Sequence, residues 1–214
     1  MSKNIAEIRK EYQLQTLLET DVTDNPFVQF NKWWDDAITS ELDEVNAMTL
    51  ATASVTGIPS ARIVLLKSVS EEGFVFFTNY NSLKGKELEE NPNACLVFFW
   101  KELERQIRIS GKVEKVSAGE SDEYFVSRPE GSRIGAWASP QSCVISSRDI
   151  IEDNITKYRQ QFAEGNISRP PHWGGYIVIP TVIEFWQGRP NRLHDRIQYT
   201  KLQDGSWKLD RLAP

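Results

Sequence analysis

The stretch AMTLATASVTGIPSARIVLLKSVSEEGFVFFTN, residues 47–79, decides the fold reading. Runs of alternating apolar, β-branched and aromatic residues are cut at Thr56-Gly57 and Glu72-Gly73, both tight-turn signals. Strands are expected over 47–55, 59–68 and 74–79, and their short connections predict an antiparallel meander.

Working outward, ACLVFFW at 94–100 and ERQIRISGKVEKV at 104–116 predict a further strand pair. Their apolar centres suggest strands covered on more than one side, as in a closed barrel. Toward the C-terminus, WGGYIVIP, VIEFWQG, RLHDRIQYT and WKLDRL predict four closing strands. Helical signals fall at 4–19, 27–41, 82–90, 118–128, 131–138 and 148–163, with a loop from Gly165 to Pro171. The second helix carries Phe27, Phe30, Trp33, Trp34 and Ile38 as an apolar face. The expected architecture is mainly β with α decorations, a barrel-like sheet of seven or eight strands. No internal repeat or linker divides residues 1–214, so a single domain is expected.

Composition bounds the function. A chain of 214 residues supports one sizeable core or two small ones. Twenty-five Lys and Arg against thirty Asp and Glu leave a net charge of -5. That disfavours a general polyanion binder such as a nucleic-acid protein. Small anions need only a local cluster and stay open. No apolar run approaches the roughly 20 residues of a membrane span. The polar Met1–Lys10 segment lacks the apolar stretch of a signal peptide. Cys95, read as a buried strand residue, and Cys143 are too few for a disulfide scaffold, so a reducing cytoplasm is expected. Two His and two scattered Cys do not make a zinc site, and no metal is expected. A Walker loop, GxSxG and a Rossmann glycine fingerprint are all missing.

Five constellations could carry chemistry. Arg62 and Lys67 bracket RIVLLK; strand alternation sends them to opposite faces unless a bulge intervenes or Lys67 lies past the strand end. Thr78 to Lys86 runs from a strand end through a polar turn into a helix, with the parts of a phosphate cradle. Ordinary N-capping by Ser82 explains the same letters. Gln106 and Arg108 share one strand face, where the Gln amide suits a heteroaromatic ring or simply solvent. Tyr124 and Arg128 face one way on a helix, and Ser132 follows the Pro129 break. A phenol, a guanidinium and a hydroxyl suit a phosphate monoester, though a helix end accounts for them equally. Finally, in an extended RLHDR segment Arg192, His194 and Arg196 line one face beside Trp186, as for an anion, an electron-rich ring or simply a solvated edge strand. Asp195 would then share the packing side with Leu193 and Ile197.

Taken together, these segments resemble the pyridoxamine (pyridoxine) 5'-phosphate oxidase family. The likeness is carried by RKEY at 9–12, RIVLLK at 62–67, FFTN at 76–79, ERQ at 104–106, YFVSRPEGSRIGAWAS at 124–139, QS at 141–142, WGG at 173–175, IEFWQG at 183–188 and RLHDR at 192–196. It implies an FMN-binding split β-barrel, acting as a homodimer with FMN at the subunit interface. The implied reaction is oxidation of pyridoxamine or pyridoxine 5'-phosphate by molecular oxygen to pyridoxal 5'-phosphate and hydrogen peroxide, with ammonia also released from the amine. Hydride would pass from substrate C4' to flavin N5.

The resemblance also implies roles. Arg62, Lys84, Gln141 and Ser142 belong to the FMN phosphate and ribityl region. Ile63, Val64, Leu65, Leu66, Phe77 and Thr78 border the cofactor. Gln106, Trp186 and Arg196 lie near its ring. Lys67, Tyr124, Arg128 and Ser132 hold the substrate phosphate, Lys67 also bordering FMN. Arg192 and His194 are the implied catalytic pair, with Leu193 between them at the substrate. Arg9 and Tyr12, on a mobile N-terminal segment of about residues 1–20, close over the substrate. Several positions depart from the family pattern. Leu83 replaces an Arg beside the phosphate-binding Lys, implying weaker FMN binding. Leu17-Leu18-Glu19 replaces a basic cluster, and Glu44 stands where Asp is common.

Overall fold

The computed structural model describes residues 4–214. The first three residues of the expected N-terminal segment lie outside the described residues. Among the described residues there are nine strands: β1 (Ala47–Ala53), β2 (Pro59–Leu65), β3 (Ser68–Ser70), β4 (Gly73–Asn79), β5 (Asn93–Trp100), β6 (Arg105–Lys115), β7 (Trp173–Gln187), β8 (Asp195–Lys201) and β9 (Trp207–Arg211). They are hydrogen-bonded in the order β2-β1-β5-β6-β7-β4-β3, with β8 on β7 and β9 on β8. Five α-helices accompany them: α1 (Pro26–Thr39), α2 (Leu83–Glu90), α3 (Ala118–Ser127), α4 (Glu130–Ala138) and α5 (Asp149–Gln161).

The strand count exceeds the expected seven or eight, and three details differ. The meander over 47–79 forms only in part, because the second and third expected strands meet only at Lys67 and Ser68. β2 pairs with β1, whereas β4 pairs with β3 and with β7. The chain breaks at Leu66, which turns inward to 5% exposure, and the Glu72-Gly73 hairpin closes on Ser68–Ser70 instead. Second, the strands expected at 173–180 and 182–188 are one 15-residue strand, β7. Pro180 falls in the gap between the β4 and β8 ladders. Pairing with β4 ends at Val178 and pairing with β8 begins at Val182.

Third, residues 4–19 do not form a helix. Only single turns at Ile5–Glu7 and Glu19–Asp21 are helical. The intervening main chain gives its N–H groups to distant carboxylates: Gln13 and Leu14 to Glu104, Leu17 to Asp195. Those bonds replace the i→i−4 ladder that a helix needs. Cys95 also differs, being half-buried rather than buried.

Contacts divide the chain into two compact units. One takes the N-terminal residues through Thr49, Cys95–Ser110 and Pro180–Pro214; the other takes Leu50–Ala94 and Gly111–Ile179. In the first, α1 begins where Asn25 Oδ1 caps the Phe27 N–H and Pro26 presets the first turn. Phe27, Phe30, Trp33 and Ala37 form its buried stripe, while Ile38, expected on that face, is exposed. Phe30 meets Phe98 at 5.5 Å and Trp33 meets Phe185 edge-on at 5.1 Å. Each such buried ring contributes roughly 1.5–3 kcal/mol relative to exposure.

The second unit packs Phe125, Ile134, Ile167 and Trp173 together, with Phe77, Tyr124, Trp137 and Phe162 against them. This cluster joins β4, α3, α4 and the start of β7, and it backs the cavity described below. Among the described residues no helix is long and apolar enough to cross a membrane, and no cluster suits a metal ion.

Candidate functional site

The second unit holds a cavity of about 610 Å³. β2 contributes Ile63, Val64 and Leu65; β4 contributes Phe77, Thr78 and Asn79. Lys67 lines it from beyond the end of β2, the second of the two ways open to it. Tyr124, Arg128 and Ser132 enter from the α3–α4 corner, with Gln141 on the following loop. The corner exists because Pro129 follows Arg128. Arg128 leaves helical geometry at φ −73 and ψ 147, and α4 restarts at Glu130.

Phe77, Tyr124 and Trp173 stack nearly parallel, with centroids 4.0 Å apart for Phe77–Tyr124 and 5.6 Å for Phe77–Trp173. The Arg128 guanidinium lies 4.5 Å from the Trp173 ring centroid. Its Nη1 is buried without a hydrogen-bond partner. Burial pulls the guanidinium below its ordinary value, so this cation is short of an anion.

Lys84, at the start of α2, is 8% exposed. Its Nζ has one long bond, 3.5 Å to Ser82 Oγ. Ser82 caps α2 by accepting from Gly85 N–H, so the capping and cradle readings hold together. A Cβ on Gly85 would stand 2.0 Å from the Tyr80 carbonyl oxygen, and only glycine allows this close turn. Burial lowers the Lys84 pKa, Arg62 lowers it further, and Glu87 partly offsets both. Two buried or half-buried cations against one carboxylate leave a net positive spot, which fits a phosphate.

Arg62 does not line the cavity. It donates to Thr52 Oγ1, Ser60 Oγ and Glu87 Oε2. Thr52 and Ser60 in turn donate to Glu87, which is 7% exposed. Burial pushes the Glu87 carboxyl up, but the Ser60, Thr52 and Arg62 donors outweigh it, and the pKa falls below 4.5. A folded-state pKa below the unfolded one stabilises the protein above the unfolded value. That contribution disappears as pH falls through the folded value. Glu87→Gln should therefore be less stable near neutrality by about 3 kcal/mol, because it leaves the half-buried Arg62 charge hydrogen-bonded but without a counter-charge. The deficit should shrink as the medium is acidified below 4.5. Urea midpoints against pH measure this; parallel curves for the two proteins would count against it.

The first unit holds a separate cavity of about 640 Å³, lined by residues 8–12 with Arg189, Asn191, Arg192 and His194. The expected extended RLHDR segment is not extended throughout. Pro190–Arg192 form a tight turn in which Asn191 and Arg192 take left-handed φ values of 56 and 62. β8 begins only at Asp195. Arg192 and His194 still meet in the cavity, while Arg196 is held by Glu184 at 2.8 Å. Glu184, 4% exposed, also pairs with Arg108 at 3.2 Å. Asp195 does not serve the apolar side. It accepts from Leu17 N–H and pairs with Arg211.

His194 Nδ1 accepts from the Arg189 N–H at 3.1 Å. The neutral ring then carries its proton on Nε2. Burial, then the Arg192 charge, hold its pKa below 6.5. Its ring lies 4.6 Å from Trp186 and 6.0 Å from Tyr12.

Two family models cover this chain. "Pyridoxamine 5'-phosphate oxidase" matches residues 34–162, and "Pyridoxine 5'-phosphate oxidase C-terminal dimerisation region" matches residues 173–214. The chain belongs to the pyridoxamine 5'-phosphate oxidase family. A pyridoxine/pyridoxamine 5'-phosphate oxidase of Nostoc punctiforme is 58% identical over 214 residues, all of both chains. One from Cupriavidus pinatubonensis is 56% identical over 98% of this chain and 99% of its own. Among solved structures, PhzG from Burkholderia lata, in complex with tetrahydrophenazine-1-carboxylic acid, superposes with a TM-score of 0.88. It is 28% identical, over 96% of this chain and 100% of that one. An FMN-binding protein of Nostoc punctiforme related to this family, 16% identical over 90% of this chain and 100% of its own, shares the fold at a TM-score of 0.71. The fold is the split β-barrel of this family.

Of the residues the family resemblance implied, the second-unit cavity gathers Ile63, Val64, Leu65, Lys67, Phe77, Thr78, Lys84, Tyr124, Arg128, Ser132 and Gln141. Arg62, Leu66, Leu83 and Ser142 do not line it, and Leu83 is 52% exposed. The first-unit cavity gathers Arg9, Tyr12, Arg192 and His194. Leu193 is exposed outside it, and Gln106, Trp186 and Arg196 are not among its lining residues, although Trp186 packs against His194 and Tyr12 from behind. Sequence reasoning assigned no role to Trp173, Glu87, Glu184 or Arg189. Trp173 and Glu184 entered only as members of the WGG and IEFWQG likeness segments, and Glu87 and Arg189 read as ordinary charges.

Proposed function

We propose that this protein is an FMN-dependent oxidase. It converts pyridoxine 5'-phosphate, with molecular oxygen, to pyridoxal 5'-phosphate and hydrogen peroxide; pyridoxamine 5'-phosphate gives the same products, taking up water and releasing ammonia. The reading rests on family membership together with one observation: the second-unit cavity holds a buried, unpartnered guanidinium nitrogen on Arg128 and a buried, barely bonded Lys84. Both groups are positive and undersatisfied, as phosphate-binding residues are before their ligand arrives.

In this reading Lys84, Gln141, Ser142 and Arg62 hold the FMN phosphate and ribityl chain, Arg62 after exchanging part of its bonding to Glu87. The side chains from Ile63 to Leu66, with Phe77 and Thr78, cover the cofactor. Gln106, Trp186 and Arg196 serve its ring. Lys67, Tyr124, Arg128 and Ser132 take the substrate phosphate. Leu83, solvent-facing, supplies no anion contact. When bound, FMN supplies the redox chemistry, accepting hydride from substrate C4' and passing the electrons to oxygen.

The protein's share is pose and field. Arg192 presses on the substrate ring, with Leu193 beside it. His194, its Nδ1 occupied by the Arg189 N–H, offers Nε2–H toward the substrate. Arg9 and Tyr12 close that cavity. We further propose that residues 1–214 act as one functional domain, in a cytoplasmic homodimer with FMN at the subunit interface. The match of residues 173–214 to a dimerisation region supports the dimer.

Anaerobic mixing of the FMN-loaded protein with pyridoxamine 5'-phosphate tests the reading. The visible flavin band should bleach, return on admitting air, and release hydrogen peroxide. A bound flavin that keeps its band with both phosphorylated substrates would overturn it.

A further inference from the structure

We infer that Glu104 is a positioning residue that fixes the N-terminal segment against the His194 cavity. Two sets of bonds meet on it, one through its side chain and one through its main chain. The carboxylate is buried, at 2% exposure for the residue. Its Oε2 accepts from Gln13 N–H at 2.8 Å and from Leu14 N–H at 3.1 Å. Its Oε1 faces Lys10 Nζ at 3.3 Å. Three donors on a stretch of five residues therefore end on one carboxylate. This is what draws the segment out of the helix its spacing suggests.

The Glu104 carbonyl oxygen accepts from Gly188 N–H at 2.7 Å and from Gln187 Nε2 at 3.2 Å. Gly188 is the floor on which Tyr12 rests. A Cβ there would stand 2.7 Å from Tyr12 Cγ. Arg189, next in the chain, gives its N–H to His194 Nδ1. One residue thus holds the main chain beside Tyr12 and the main chain whose next N–H sets the His194 tautomer. Tyr12 lies edge-on to Trp186 at 5.8 Å as a result.

Glu104 does this from a left-handed backbone, φ 54 and ψ 37, which residues with a Cβ seldom occupy. That geometry turns the chain between Lys101–Leu103 and β6, aiming side chain and carbonyl at two different segments. A residue kept in so unfavoured a conformation, and bonded to both segments that bound a cavity, is the pattern expected of a functional constraint.

The inference rests on the proposed reading only in its kinetic consequence, so the test has two parts. Glu104→Gly removes the carboxylate yet suits the left-handed backbone, which protects the fold. Glu104→Gln keeps one oxygen for the Gln13 and Leu14 donors. Backbone hydrogen exchange of FMN-loaded protein should accelerate at Gln13 and Leu14 by about tenfold or more in Glu104→Gly. Amides of β8 should keep their rates, and Glu104→Gln should retain most of the protection. In steady-state assays with pyridoxamine 5'-phosphate, Glu104→Gly should raise KM by about tenfold with kcat and FMN affinity little changed. Unchanged exchange at Gln13 and Leu14 would overturn the latch. Faster exchange with unchanged KM would overturn the positioning role. Absence of substrate-driven flavin bleaching in the unsubstituted protein would count against the oxidase reading instead, while exchange would still decide the latch.

Discussion

Lys84→Ala is expected to raise the dissociation constant for FMN on the order of 100-fold while leaving the unliganded protein at least as stable as before. The asymmetry follows from burial. In the absence of an anion, the Lys84 ammonium is 8% exposed, has one long bond to Ser82, and sits near the Arg62 charge. Removing it relieves a desolvated cation and costs the fold little. A bound phosphate changes the sign. A charge-assisted bond in a partly dry site is worth roughly 1.5–3 kcal/mol, or about 10- to 150-fold in affinity. Flavin fluorescence titration gives the dissociation constant, and thermal unfolding with and without FMN gives the stabilities. An FMN affinity that did not move would remove Lys84 from the phosphate cradle.

Arg192→Leu is expected to lower kcat/KM for pyridoxamine 5'-phosphate about 100-fold with FMN affinity within about twofold. The magnitude reflects geometry, since about 1 Å of misplacement at the reacting atoms can cost that much. Leu preserves stem volume but cannot hold a pyridine ring through charge. The exchange also has a readout independent of turnover. Burial and the Arg192 charge together hold the His194 pKa below 6.5. Deleting the charge leaves only burial, so the His194 titration should move upward. Imidazole proton chemical shifts against pH follow it directly. Undiminished turnover and an unmoved titration would together dismiss Arg192 from the site.

Element types along the chain were largely legible because strand and helix periods differ, and β1, β5, β6 and α1 to α5 fall close to their expected positions. Pairing was not legible. β4 meets β7 across about a hundred residues of sequence, and no local pattern states which apolar strand will be opposite. The N-terminal segment failed for a related reason. Its uneven apolar spacing suited a helix, but Glu104 and Asp195 compete for its N–H groups from far along the chain.

At the candidate site, Tyr124, Arg128 and Ser132 were readable as a unit because helix spacing and Pro129 set their directions locally. The RLHDR segment was readable in composition but not in shape. Asn191 was its one clue, since Asn enters the left-handed region more readily than most residues. Arg62 carries no local sign that Glu87 will occupy it.

The stacked rings of Phe77, Tyr124 and Trp173 come from β4, α3 and β7 and lock one another's rotamers, tilted by only 10 to 22 degrees. Their conformational entropy is lost when the protein folds, not when a ligand arrives. The phenol of Tyr124 and the guanidinium lying over Trp173 therefore meet an anion already ordered, and affinity there is set mainly by charge and fit. Arg9 and Arg192 are solvent-exposed long chains, each with up to about 2 kcal/mol of rotamer freedom still to lose. The first-unit cavity should accordingly show the larger unfavourable entropy of ordering, and the stronger temperature dependence, when its own contacts form.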